Sequence, residues 1–163
     1  MGTRAEGSAA WAAALGRVPS GLFVLTARHT DGRETGMLAS WVQQCSFDPP
    51  QVSFAVRKGR ELAAWLTEGA AVVIHVVPEG GKALVAHFGK GFEPGEPAFD
   101  GLAVDRGAAS APVLTAALAY LDCEVSGWAD AADHVLFLAR VTGGAVLHDG
   151  RPTVHLRKSG MHY

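Results

Sequence analysis

Apolar and polar positions alternate with a period of two through Gln51-Val52-Ser53-Phe54-Ala55-Val56-Arg57-Lys58. That period predicts a strand over residues 51–58 with Val52, Phe54 and Val56 on one face. Residues 35–46 are rich in Trp, Val, Met and Thr, and predict a strand of their own. Asp48-Pro49-Pro50 parts the two, because two prolines fix φ and remove two backbone donors. Upstream, residues 22–29 are apolar on both faces, which fits a strand with core on one side and a helix or subunit on the other. The segment His29-Thr30-Asp31-Gly32-Arg33 has turn chemistry, so the strands over 22–29 and 35–46 should form a hairpin.

Helical spacing is confined to short stretches. Ser8 is placed to cap a first helix, with Trp11 and Leu15 stacked four apart and Gly16 ending it. Residues 60–68 carry a second pattern, closed by Gly69. A third follows Gly80-Gly81, with Leu84 and Phe88 on one face and Gly89 as the stop. Residues 70–77 are β-branched and end at Pro78, and further strands are expected over 118–128, 134–147 and 153–157. Prolines, glycines and acidic residues make 90–100 a loop. Many short strands with three short helices argue for a mainly β barrel rather than a parallel sheet.

Composition narrows the classes. At 163 residues, with 48% hydrophobic residues and 20 glycines, the chain suits one domain with a real core. On this reading residues 1–17 are a helical lead-in and 18–163 the barrel. Fourteen Lys+Arg against sixteen Asp+Glu leave a formal charge of −2, so nothing argues for nucleic acid or an anionic membrane. Two cysteines make no disulfide framework, and a reduced, cytoplasmic setting is expected. No apolar run approaches the ~20 residues of a membrane span, and no basic region leads an apolar one at the N-terminus.

Candidate chemistry is sparse by motif. The seven histidines show no HExxH and no Cys/His cluster, so no metal site is predicted. Ser46, Ser53 and Cys45 lack a nucleophile motif such as G-x-S-x-G, and Cys45 suits packing as a small hydrophobe. Lys58-Gly59-Arg60 at a strand end before a helix suits either a phosphate cradle or a solvated strand end.

Four further motifs occur in order along the chain. They are Gly36-Met37-Leu38-Ala39-Ser40-Trp41-Val42, Phe92-Glu93-Pro94-Gly95-Glu96, Leu118-Ala119-Tyr120-Leu121-Asp122-Cys123 and Arg157-Lys158-Ser159-Gly160-Met161-His162-Tyr163. With Ser46-Phe47-Asp48-Pro49-Pro50 and the following strand, they resemble the flavin reductase-like family of FMN-binding split barrels. The resemblance is strongest to the C-terminal flavin reductase module of cyanobacterial-type flavodiiron proteins. It implies a Greek-key split β-barrel, a homodimer and a flavin, FMN with FAD as the alternative. It carries flavin contacts onto Met37, Leu38, Ala39, Ser40 and Trp41, onto Cys45, Ser46 and Asp48, and onto Val56 and Arg57. Lys58 and Arg60 would hold the phosphate, with Phe88 and Lys90 near that end. Tyr163 matches a tyrosine that closes the family's chains.

His134 matches a family histidine near the nicotinamide and flavin ring and is the candidate catalytic residue. Two departures stand out. Ala132 replaces the glycine of a Gly-Asp-His motif, and His75 stands where the family has asparagine. The activity implied is hydride transfer from NAD(P)H to FMN, with electrons passed to oxygen or, in trans, to a separate acceptor protein. The alternatives are an FMN-carrying electron-transfer module reduced by a protein donor, and a plain flavin carrier.

Overall fold

The computed structural model of the chain describes the backbone of residues 4–162 and side chains from residue 10 onward; Tyr163 lies outside the described residues. A helix α1 (Arg4–Gly16) leads into a two-residue strand β1 (Ser20–Gly21). There follow β2 (Phe23–Arg28), β3 (Glu34–Ala39), β4 (Val42–Phe47) and β5 (Pro50–Arg57). Helix α2 (Glu61–Trp65), β6 (Ala71–Val76) and helix α3 (Lys82–Gly89) come next. Two short strands, β7 (Val104–Asp105) and β8 (Val113–Leu114), precede the long hairpin of β9 (Ala119–Ala131) and β10 (His134–Val146). The last strand, β11 (Val154–His155), returns to pair with β1.

Seven strands make one antiparallel sheet in the order β3-β2-β6-β9-β10-β5-β4. Its two edges, β3 and β4, are neighbours in sequence, with Ser40 and Trp41 between them. A two-residue link cannot span an open seven-stranded sheet at ~4.8 Å per strand, so the sheet curls until its edges meet. This corrects the expectation of one strand over residues 35–46. The chain stays extended there but changes partner, from β2 to β5, and the Trp41 carbonyl already accepts the Ala55 N–H at 3.1 Å. The β9–β10 hairpin is staggered. Residues 119–124 of β9 pair with β6, while residues 134–140 of β10 pair with β5. It therefore joins the two halves of a split barrel, as expected.

The expected period of two holds on β5, whose Val52, Phe54 and Val56 are buried. They meet Leu25 and Ala27 of β2, Val72 and Ile74 of β6, and Phe137 of β10 in the barrel core. The opposite face of β2 turns Val24 into a second cluster with Leu84 and Phe88 of α3, Phe99 of the following loop and Leu114 of β8. That is the two-faced burial its apolar run requires.

Three local expectations are corrected. Ser8 lies inside α1, which begins at Arg4. The helix expected over 60–68 is one turn and a half, Glu61–Trp65, because Leu66 leaves helical geometry with ψ 70°. Pro50 opens β5 opposite Phe47, so the corner is a tight turn at Asp48-Pro49. Proline is tolerated there as the first residue of its strand.

His75 is fully buried on β6. Its Nδ1 donates to the Val24 carbonyl at 3.0 Å, and its Nε2 accepts the Leu114 N–H at 3.0 Å. Desolvation pushes its pKa down to about 4, so the ring is neutral and pins the 111–118 segment to the barrel. His75 is thus a structural imidazole.

Candidate functional site

Being at an edge, β3 leaves every second N–H and C=O unpaired on the side away from β2. Helices α2 and α3 both pack against this strand. Between them they roof a cleft of about 250 Å³. Its floor is residues 35–41, and its apolar walls are Leu62 of α2, Val85 and Phe88 of α3, and Phe92. Thr35 and Ser40 are buried polar residues along the floor.

One end of the cleft is cationic. Arg60 precedes α2 and lines both the cleft and an adjoining polar hollow bounded by His87, Lys90, Glu93, Glu96 and Asp100. Gly91 makes room for it: with φ +75°, it would place a Cβ 2.7 Å from Arg60 Nη1. Glu61 beside it is held by Arg33 at 3.2 Å, and Arg33 in turn lies 5.4 Å from the Trp65 ring centre. Asp31, the other carboxylate on Arg33, has its pKa lowered to about 2, chiefly by the Arg33 backbone N–H.

The other end is aromatic. The Trp41 ring lies 4.9 Å from that of His134, and His134 Nδ1 lies 2.8 Å from the Asp133 carboxylate. A carboxylate only accepts, so Nδ1 carries the proton. That bond is the main cause of the lowered Asp133 pKa, and Arg57 adds to it. Arg57 is the register partner of His134 and also lines the cleft. Ala132, in the turn that presents Asp133 and His134, has φ 59°, the left-handed conformation that favours glycine.

The model of the flavin reductase like domain matches residues 15–162. The chain belongs to that family. Diflavin flavoprotein A 1 of Synechocystis sp. is 39% identical over 152 residues, which are 92% of this chain and 26% of the relative. The chain thus spans about a quarter of that relative's length. The NADH:FAD oxidoreductase of Streptomyces globisporus superposes with a TM-score of 0.80 at 26% identity, covering 88% of this chain and 86% of that one. The styrene monooxygenase flavin reductase of Pseudomonas putida gives 0.75 at 28%, covering 88% and 90%.

Within this flavin reductase fold, the cleft gathers Met37, Leu38, Ala39, Ser40, Trp41, Arg57, Arg60 and Phe88 from the expected set. His134 reaches it through Trp41. The others lie elsewhere. Cys45 is exposed on β4, and Ser46 and Asp48 belong to the far end of the β4–β5 hairpin. Val56 turns into the barrel core. Lys90 borders the polar hollow with its ammonium 5.0 Å from the Phe92 ring centre. Tyr163 is outside the described residues. Lys58 and Arg60 do not converge: the Lys58 ammonium pairs with Asp130 on β9. The Arg60 N–H is also engaged, by the Arg57 carbonyl at 3.3 Å.

Sequence reasoning missed Thr35, Glu61, Val85, Phe92 and His155. Val85 was within reach, because it lies three residues before Phe88 on the same helix. His155 arrives only through the pairing of β11 with β1.

The residues present fit a flavin. Apolar walls suit a planar heteroaromatic ring, free backbone groups along β3 suit its polar edge, and Arg60 suits an anionic tail. Among the described residues, no group of three or more His, Cys, Asp or Glu is placed to hold a metal ion. Among those residues, too, no helix is long and apolar enough to cross a membrane.

Proposed function

We propose that this protein binds FMN in the cleft and reduces it with NAD(P)H, passing the electrons to oxygen or to a separate acceptor protein. The observation that carries this reading is the covered edge of β3, with Arg60 at one end and the Trp41–His134 pair at the other. When bound, the flavin ring supplies the redox chemistry, accepting a hydride from the nicotinamide. The chain's own residues bind and orient. The backbone of residues 37–39 would hold the polar edge of the ring, and Leu62, Val85 and Phe88 would keep water from it. Arg60 would take the phosphate, and Trp41 with His134 would border the nicotinamide. An FAD adenylate would extend past Arg60 into the polar hollow, so FAD is the alternative cofactor.

The test is the absorbance spectrum of the purified protein before and after anaerobic NADH. A flavin spectrum that bleaches supports the reductase. A flavin spectrum that does not bleach favours an electron-transfer module reduced by a protein donor, a reading suited to a chain that matches one quarter of a larger relative. A protein that binds no added flavin sinks both.

We further propose a homodimer. Phe47, Val146, Val154 and Leu156 are exposed large apolar side chains that a partner copy could cover, with Phe47 90% accessible. Sedimentation equilibrium checks it, and a monomer at micromolar concentration would refute it. A cytoplasmic location and a single folding unit over 1–163 remain part of the same proposal.

A further inference from the structure

Arg157 follows β11 and is not among the residues lining the cleft. Its guanidinium carbon stands 5.2 Å from the ring centre of Trp41, a cation–π contact. The His134 ring, tilted by 54°, touches the same indole. Trp41 sits in the link where the barrel edges change partner and is 37% exposed. Burial alone therefore does not set its side chain, and these two ring neighbours help to hold it.

Arg157 is itself anchored on both sides. Upstream, Val154 and His155 pair with Gly21 and Ser20. Its own N–H donates to the Gly16 carbonyl at 3.1 Å, and the Gly160 N–H donates to that of Ala12 at 2.6 Å. A Cβ on Gly16 would come within 2.6 Å of the Arg157 carbonyl oxygen, and one on Gly160 would run into Leu15. Both approaches therefore need glycine. Among the described residues, none of helix α1 lines the cleft, yet the helix fixes the residue that holds the indole beside it.

We infer that Arg157 is a positioning residue. It holds the Trp41 indole as the wall against which the nicotinamide ring of the electron donor packs. The inference rests on the proposed function, since the aromatic end of the cleft is where that ring is placed. Arg57 and Arg157 also bring positive charge to this end, which suits the donor's diphosphate.

The experiment compares Arg157→Ala and Arg157→Lys with the wild type, at saturating FMN and varied NADH. Loss of the cation should raise KM for NADH about threefold to tenfold, with kcat and the FMN Kd unchanged. Lysine keeps a charge over the ring and should recover most of the loss. Acrylamide quenching of Trp41 fluorescence, taken by difference from Trp41→Phe, should rise in Arg157→Ala. Wild-type KM and quenching in both variants would overturn the inference. So would a joint loss of KM, kcat, FMN affinity and Tm, which marks a folding effect. If the wild type binds no flavin, the proposed function falls separately, and unchanged quenching would then overturn the clamp as well.

Discussion

β3 and β4 are both six residues long, follow each other across a two-residue link and form the two edges of one sheet. Their fates differ. β3 is roofed by α2 and α3 and floors the cleft. β4 turns Gln43, Gln44 and Cys45 to solvent and ends at the exposed Phe47. Free backbone groups become a binding edge only where other elements fold over them and keep water away. The bare edge is blunted instead by polar side chains and by a bulge between Gln44 and Ser46.

The largest expected effect lies away from both edges, at the buried imidazole of β6 that holds the 111–118 segment. His75 has a folded pKa of about 4 against an ordinary 6.5, so the folded state disfavours its proton. Its contribution is full above pH 6.5, falls as pH drops towards 4, and is flat below. The loss should be on the order of 3 kcal/mol. Urea melts at several pH values check it, and His75→Asn, which keeps a donor and an acceptor, should flatten the dependence in that window. An unchanged slope would mean that other groups control it.

Next in size is the anion end of the covered edge. Arg60→Ala should weaken FMN about tenfold or more, from the roughly 1.5–3 kcal/mol of a charge-assisted hydrogen bond. Riboflavin, lacking the phosphate, should be indifferent. Lys58→Ala, which frees Asp130 at the barrel rim, should change FMN affinity by less than about threefold. Fluorescence titration separates the two, and equal losses would restore the converging pair.

A matched pair of substitutions addresses the edges directly. A Cβ at Gly36 on β3 would lie 2.8 Å from the Phe88 ring. Gly36→Val should therefore cost about 1–3 kcal/mol by pushing α3 away. Gln44→Val on β4 should stay within about 0.5 kcal/mol. Equal costs by chemical denaturation would remove the distinction drawn between the edges. The smallest stability effect belongs to Phe47→Ser, again within about 0.5 kcal/mol. If the proposed homodimer uses this edge, sedimentation should show weaker association in that variant, and an unchanged dimer would place the interface elsewhere.

Local patterning by itself determined the strand at 51–58, the Asp31-Gly32 hairpin, the two-faced burial of residues 22–29 and the third helix. Each depends on neighbours a few positions apart: alternation on a pleated strand, turn chemistry, and an i, i+4 pair on one helix face. The family motifs added the barrel and most of the cleft floor, since Met37–Trp41 is one run of sequence. What the sequence left open was set by partners distant along the chain. Residues 35–46 read as one strand because the backbone stays extended throughout; only sheet closure reveals the change of partner at Ser40 and Trp41. Lys58 and Arg60 look equivalent two positions apart, yet Asp130, 72 residues on, takes one and the hollow beside Gly91 receives the other. His155 and Arg157 reach the site through β1 and α1, at the opposite end of the sequence. Side-chain type and spacing set which local structures form, but which charges and rings meet depends on how the closed sheet brings its ends together.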